Sequence, residues 1–501
     1  MATNKKREEK RKVHLIGIGG SGMSALAVLL RESGWQVTGT DANPSNLFSA
    51  HLEKNKILFY KKYSKKNIPK NVDLVIVGNN APFSAEINPE TRQAVRSGVK
   101  IQSMPEALAE LSKNKENIVV VGSSGKSTCA TLIAWCLTQV KKPARHASQG
   151  DAGGGDPSYF IGALPFDLKN SSHLGKDREF VLEGDEYTSS KTDKCSKFLH
   201  FDPSSVLLIS AQHDHINAFP TEKSYKMPYK KFVAKIPKNG LFVYSLEGKN
   251  NKEIATCAEC KIVSYALENT SPRLIRLGRK KPDWYAENIK YDIQPSFDLM
   301  HKGKKVAKIK TKLLGKHNLE NIIGAGALLL EKKKITPEVF AQAIASFHGI
   351  KNRLELKTKD SAVPVYEGFG SSYEKAKAFF NTLRLHFPKR RLIAVFEPYA
   401  FSWRNRKFLK WYKDIFNNVN EVIMLSATSH GKKAKDQLTS AEIWREVKKY
   451  KNIHTVNNEK EGLKILEKIV RKDDVIALVS SGLLFGLTNS APKLIEKKFP
   501  A

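Results

Sequence analysis

Short, nearly uninterrupted apolar runs alternate with helical patterns along most of this chain. The stretch Lys12 to Asp41, KVHLIGIGGSGMSALAVLLRESGWQVTGTD, reads as a strand, a glycine turn, a helix and a second strand ending in an acidic residue. VDLVIVGNNAP and GVKIQSMPEALAEL extend the pattern to about residue 112, where the polar run SKNKEN interrupts it. Three valines then lead into GSSGKST, and TCATLIAWCL behind that loop has helical periodicity. REFVLEGDEY and SSVLLISAQHDH supply further strands, and GKHNLENIIGAGALLLEKKK opens a helix. From about 240 to 312 the runs are shorter and more strand-like, which predicts a mixed sheet there. After GIKNRLELK, the strands VPVYEG, RLIAVFEP, EVIMLSA and DDVIALVSS alternate with helical stretches. The expectation is an α/β chain of three domains, 1–112, 113–352 and 353–501, built on parallel sheets with helical crossovers.

Length supports that division, since 501 residues exceed what one hydrophobic core organises. No apolar run approaches the ~18 residues of a membrane span. The opening MATNKKREEKRK is charged and runs straight into a strand and a glycine turn, so it reads as a basic tail on a cytoplasmic protein with no membrane partner. Five cysteines argue for reduced thiols, and the lone pair Cys257 and Cys260 lacks the further ligands of a structural zinc site. A net charge of +34 invites a nucleic-acid reading. The lysines are spread along the chain without a recognition module, so no nucleic-acid partner is expected, and the charge reads as a basic surface facing anionic small substrates.

Two glycine-rich strand-to-helix turns carry the candidate chemistry. Gly17, Gly19, Gly20, Ser21, Gly22 and Met23 lie in the first, with Asp41 at the end of the next strand. Such a turn suits a diphosphate, because backbone N–H groups at a helix start face an anion. The second, Gly122-Ser123-Ser124-Gly125-Lys126-Ser127-Thr128, is a short form of the phosphate loop with Val120 where the longer pattern has glycine. Its glycines allow close backbone approach, Lys126 offers a charge to the outer phosphates, and a hydroxyl of Ser127 or Thr128 suits magnesium. Two such loops imply two phosphorylated ligands.

Taken in order, HLIGIGGSGMSAL, VTGTDANPS, GSSGKST, EGDEY, HDH, GKHNLEN and KNRLE resemble the Mur ligase superfamily, whose members build peptidoglycan peptides with ATP. The resemblance implies a UDP-sugar-binding Rossmann-like first domain, a central ATP-binding domain and a C-terminal Rossmann-like ligase domain. It implies ATP and Mg2+ as cofactors, with the γ-phosphate passed to a carboxylate and an amine attacking the acyl phosphate. Lys126, Glu183, His215 and Arg353 match the family's catalytic positions, with Ser127, Glu183 and His215 at magnesium. His317, Asn318 and Asn321 match its adenine box. The segment Asp193 to Phe198, DKCSKF, resembles the branch that recycles murein peptides. The expected reaction is therefore the joining of UDP-N-acetylmuramate to an L-Ala-γ-D-Glu-meso-diaminopimelate peptide, with Lys191, Lys194 and Lys197 attracting the peptide's carboxylates. The alternatives are L-alanine as the incoming amine, or an impaired relative that senses UDP-sugar or muropeptide. The oligomeric state stays open.

Departures from the family pattern keep the last alternative in play. Ser210, Gln212 and Asn217 replace polar residues around HDH, and Glu367 to Tyr373, EGFGSSY, replaces the pattern D-D-[FY]-x-H-H-P. Late in the chain Ser481 stands where an asparagine is usual.

Overall fold

The computed structural model describes residues 10–44, 46–79, 84–140, 154–190, 193–214, 218–268, 281–351, 353–427 and 437–501. Three sheets organise them, as the alternating pattern predicts. The first is wholly parallel and comprises β1 (Lys12–Ile16), β2 (Gln36–Thr40), β3 (Leu58–Tyr60), β4 (Leu74–Val77) and β5 (Lys100–Ser103) in the order β3-β2-β1-β4-β5. Val13, Leu15 and Ile16 of β1 are fully buried, the continuous apolar reading expected of a strand covered on both faces. The helix Ser21–Glu32 follows β1 and packs Leu26, Leu29 and Leu30 into the core. The helix Pro89–Ser97 starts where Asn88 accepts from the N–H groups of Glu90 and Thr91, and ends at Gly98 with a positive φ of 67°.

The central sheet has ten strands. These are β6 (Glu116–Val121), β7 (Ser158–Phe160), β8 (Ser172–His173), β9 (Glu179–Gly184), β10 (Ser205–Leu208), β11 (Leu241–Ser245), β12 (Lys261–Glu268), β13 (Trp284–Lys290), β14 (Ser296–His301) and β15 (Lys304–Lys310). Their order is β15-β14-β13-β12-β11-β10-β6-β9-β7-β8. The run from β13 through β12, β11, β10, β6 and β9 to β7 is parallel, and β7 meets β8 antiparallel, so the sheet is mixed. β6 is flanked by β9 and β10, which brings the ends of three strands far apart in sequence to one edge.

The third sheet contains β16 (Glu355–Leu356), β17 (Val365–Phe369), β18 (Arg391–Phe396), β19 (Glu421–Leu425), β20 (Ile453–Val456) and β21 (Asp474–Ser480), ordered β16-β17-β21-β18-β19-β20. All pairs are parallel except β16 with β17. β21 lies between β17 and β18 and is buried along its whole length. By internal contacts the chain forms two compact units, one carrying the first and central sheets and the other the third sheet with residues 289–296 and 311–316.

Candidate functional site

β6 delivers the chain to the phosphate loop, with Val121 in register with Gly184 of β9 and Leu208 of β10. Gly122 has φ +147° and Gly125 φ +80°, conformations that a side chain disfavours. There is also no space for one: a Cβ on Gly122 would lie 3.0 Å from the Ser210 backbone, and one on Gly125 would lie 2.9 Å from Asn321 Oδ1. The Ser123 amide donates to the Ser210 carbonyl at 2.6 Å, and the Ser123 hydroxyl donates to the same oxygen at 3.1 Å. Ser210 therefore serves the loop through its backbone, and the missing asparagine side chain does not remove that support. Gly125 caps the helix Lys126–Thr138 without a side chain, which leaves the first-turn N–H groups facing an incoming anion.

Acidic residues surround the lysine of this loop. Lys126 Nζ donates to the Gly122 carbonyl at 2.7 Å and to Glu186 Oε2 at 2.6 Å, and the Glu186 side chain is only 2% exposed. Burial pulls the Lys126 ammonium down, but the Glu186 carboxylate, aided by Glu183 and Asp185, outweighs it and holds the pKa above the ordinary value. Burial pushes the Glu183 carboxyl up despite the Gly162 amide at 2.7 Å, the nearby ammonium of Lys126 and the Ser127 hydroxyl, which donates to Oε1 at 2.8 Å. Asp185 goes the other way: burial raises it, but the Lys197 ammonium at 2.5 Å and then Lys126 bring it below the usual range. Glu186 is the residue that sequence reasoning missed. Its signal was present, since it is the last acid of the same E-G-D-E run that supplied Glu183.

Helix Lys316–Glu331 carries the other nucleotide candidates. Asn318 and Asn321 are buried three residues apart, and the Asn321 backbone carbonyl accepts from Cys129 of the phosphate-loop helix. The structure therefore brings Asn321 against the loop. His317, one position earlier, is exposed. His215 and Asn217 lie outside the described residues. His213, two positions before His215, binds the Phe219 carbonyl at 2.7 Å and packs on Tyr225. Arg353 is exposed in the unit of the third sheet. Ser127 and Glu183 together offer two hard oxygen donors in contact, a set that suits magnesium when phosphates and water supply the remainder. Among the described residues no group of three or more His, Cys, Asp or Glu forms a metal cluster.

The first glycine turn is held from β2. The Thr40 carbonyl accepts from Gly17 at 2.7 Å and from Ile18 at 3.2 Å. Asp41 Oδ2 accepts from the Gly19 amide at 3.0 Å, and its Oδ1 accepts from Asn43 at the same distance. A Cβ on Gly19 would come within 2.5 Å of Pro44, whereas one on Gly20 would make ordinary contact at 3.6 Å. Ser21 is half-buried, Met23 packs in the core, and a Cβ on Gly22 would approach Met104. Beneath the turn a buried network fixes β2: Glu90 accepts from Thr40 at 2.9 Å, from Asn67 at 2.8 Å and from the Ser64 amide at 3.0 Å. His14 bridges Thr38 and Glu90, and both His14 and Glu90 are fully buried.

Residues 12–116 match the Mur ligase family, catalytic domain, and residues 120–329 match the Mur ligase middle domain. The chain belongs to the Mur ligase superfamily. It is an ATP-dependent ligase that forms amide bonds, the activity of that family in peptidoglycan biosynthesis. It is 28% identical to a UDP-N-acetylmuramate--L-alanine ligase of Dictyoglomus turgidum over 94% of each chain. It is 29% identical to the enzyme of the same name from Aquifex aeolicus, over 82% of this chain and 83% of the relative. Among solved structures, the UDP-N-acetylmuramate-alanine ligase of Thermotoga maritima matches with TM-score 0.73 and 21% identity, covering 97% of this chain and 99% of its own. The murein peptide ligase of Psychrobacter arcticus matches with TM-score 0.62 and 22% identity, covering 98% and 100%.

These likenesses overturn the expected murein-peptide substrate and its place in recycling, because the curated relatives quoted add L-alanine by name. The DKCSKF segment that motivated the expectation has structural work instead. Lys197 is paired with Asp185, and Asp193 binds His200 at 2.6 Å and the Cys195 amide at 2.9 Å. Ser196 and Phe198 are buried, and Lys194 alone of the described lysines there is exposed. Lys191 lies outside the described residues. The segment is a folded turn, and Lys197 within it is already neutralised by Asp185.

Proposed function

We propose that this ligase joins L-alanine to the lactyl carboxylate of UDP-N-acetylmuramate. The observation that carries the reading is the likeness along nearly the whole chain to relatives named for that reaction. The carboxylate oxygen attacks the γ-phosphorus of ATP and ADP leaves. The amine nitrogen then attacks the acyl carbon, phosphate leaves, and the amine gives up its proton. Such a transfer needs positioning and charge neutralisation more than covalent help from the protein.

In this reading the first-turn N–H groups behind Gly125 and the Lys126 ammonium receive the β and γ phosphates, with Lys126 turning from Glu186 toward them. Ser127 and Glu183, with His215, hold magnesium, which would neutralise phosphate charge when bound. Asn318 and Asn321 face adenine beside His317, Arg353 reaches the phosphates, and the Gly17 to Met23 turn with Asp41 receives the UDP diphosphate. The working division is 1–112 for the UDP-sugar, 113–352 for ATP and 353–501 as the ligase domain that completes the site. Both substrates are water-soluble anions or zwitterions, and we place the reaction in the cytoplasm. Among the described residues no helix is long and apolar enough to cross a membrane.

A second reading, binding without turnover, draws support from the third sheet. The family aspartate position is Gly368, and the Phe379 ring lies 2.3 Å from where its Cβ would be. The test incubates the chain with ATP, magnesium, UDP-N-acetylmuramate and either L-alanine or the tripeptide, and follows ADP and product mass. Higher kcat/KM with L-alanine supports the proposal. Binding of the UDP-sugar with neither amine joined favours the second reading.

A further inference from the structure

The amino ends of β18, β19 and β20 open onto a cavity of about 710 Å³ whose lining is mostly basic. Arg391 begins β18, Glu421 begins β19, and Ile453 and His454 begin β20. Lys448 and Lys468 reach in from the last turns of the helices Ser440–Lys448 and Glu459–Ile469, and Lys451 and Arg471 follow those helices. The carboxylates nearby are already committed. Asp474 takes the Arg391 guanidinium in a two-pronged pair at 2.9 Å, and Glu421 sits 3.7 Å from Arg391 and 3.6 Å from His454. Among the described residues, the Lys451 ammonium donates to the Val419 carbonyl at 2.7 Å. Among the described residues, Lys448, Lys451, Lys468 and Arg471 have no carboxylate within ion-pair distance.

Elsewhere among the described residues some lysine pairs do share a carboxylate. Lys332 and Lys334 gather on Glu116, and Lys226 and Lys230 gather on Glu253. Cations in the last turn of a helix offset its dipole, which accounts for Lys448 and Lys468. It does not account for Lys451 and Arg471, which lie past the helix ends. Four cations converge on one concavity whose lining carboxylate, Glu421, already faces Arg391 and His454; they repel one another, and a multivalent anion relieves that repulsion. The volume falls within the range of small-ligand sites. Among the lining residues no Phe, Tyr or Trp offers a platform for stacked bases, which disfavours single-stranded nucleic acid.

We propose that this cavity is a binding site for a compact polyphosphate, held by Lys448, Lys451, Lys468 and Arg471 and separate from the phosphate loop at Gly122 to Thr128. The shared chemistry is a chain of phosphates, supplied either by free polyphosphate or by a nucleoside di- or triphosphate. The probe is sodium tripolyphosphate, titrated calorimetrically into the full chain carrying Lys126→Ala, which weakens the phosphate loop as a competitor. The salt is held at about 150 mM, so that diffuse surface attraction is screened.

One equivalent of binding is expected, weakened at least about tenfold by adding Lys468→Glu with Arg471→Glu and less by Lys448→Ala alone. Each variant's thermal transition is recorded, and the single Lys448→Ala change provides the reading should the double reversal fail to fold. ADP and UDP form the second arm. Nucleotides that bind more tightly than tripolyphosphate through the same lysines identify a nucleotide site, and equal or weaker binding identifies free polyphosphate. Tripolyphosphate binding that is absent, or indifferent to all three substitutions, overturns the proposal. Preferential binding of a single-stranded oligonucleotide through the same residues also overturns it. With Lys126 intact, Lys468→Glu with Arg471→Glu is expected to leave ligation without added polyphosphate unchanged.

Discussion

The carboxyl edge of the central sheet and the carboxyl edge of the third sheet are both rich in glycine, for different physical reasons. At the ends of β6, β9 and β10, Gly122 and Gly125 adopt positive φ so that backbone N–H groups can turn toward an anion. Around them stand Lys126, Glu183, Asp185 and Glu186, all ionisable and all in mutual contact or within electrostatic reach. At the ends of β17, β18 and β21, none of Gly368, Gly370 or Gly482 has positive φ. Their missing side chains make room for neighbours: Phe379 over Gly368, Val479 at 2.4 Å from a Cβ on Gly370, and Tyr399 at 2.5 Å from one on Gly482. Trp403 donates to the Gly370 carbonyl at 2.7 Å, and the buried Glu397 accepts from Ser480 at 2.6 Å and from the Leu484 amide at 3.0 Å. Phe369, Phe401 and Leu483 are left exposed at this edge. One edge keeps its ionisable groups clustered around the loop proposed to receive phosphate, whereas at the other the polar groups hold aromatic and backbone packing together.

The largest expected effect tests the first half of that contrast. Lys126→Ala is expected to lower ligation by roughly 10²–10³-fold at saturating ATP, since a preorganised charge at the transferring phosphate is lost. An ADP-release assay showing less than about a tenfold drop would break the view of this edge as working machinery.

Restoring the family residue tests the second half. Gly368→Asp is expected to destabilise the fold by about 1–3 kcal/mol, because its Cβ collides with the Phe379 ring. In a Phe379→Ala background the added penalty is expected to shrink, and urea unfolding of the four chains gives the coupling. Equal penalties in the two backgrounds would show that the ring does not occupy the aspartate's place.

A titration sharpens the contrast within the unit of the third sheet. His386 Nε2 accepts from the Gly315 amide at 2.9 Å and its Nδ1 donates to the Asp292 carbonyl at 2.8 Å, so the fold requires the neutral ring. Burial holds this imidazole below its ordinary value of 6.5, and the unfolded chain therefore takes up the proton first. Its contribution to stability is full above 6.5 and is lost as the pH falls toward the folded-state value, at no more than about 1.4 kcal/mol per pH unit. Denaturant midpoints of His386→Gln are expected to vary less across that interval than those of the parent; an unchanged slope would assign the effect to other groups. The smallest effect concerns Leu483, 79% exposed, where Leu483→Ser is expected to shift stability by less than about 0.5 kcal/mol in the same assay.

Much of this molecule was legible from residue order. The valines before Gly122, the glycines themselves and the apolar period after Lys126 dictate a strand, a turn and a helix through short-range sterics, so the phosphate loop could be located before any contact was known. The same holds for Gly17 and the strands around it. Partnerships across the sheets were not legible. Glu186 meets Lys126, sixty positions earlier, only because β9 pairs beside β6. Lys197 looked available to a substrate until the turn after β9 placed it on Asp185. Asp41 could be placed from the sequence only at the end of the second strand, and the structure ties it to the Gly19 amide. Backbone geometry follows from neighbours in sequence. Which carboxylate neutralises which cation, and which ring fills the space beside Gly368, depends on strand order and packing, and those arise only when distant segments are brought together.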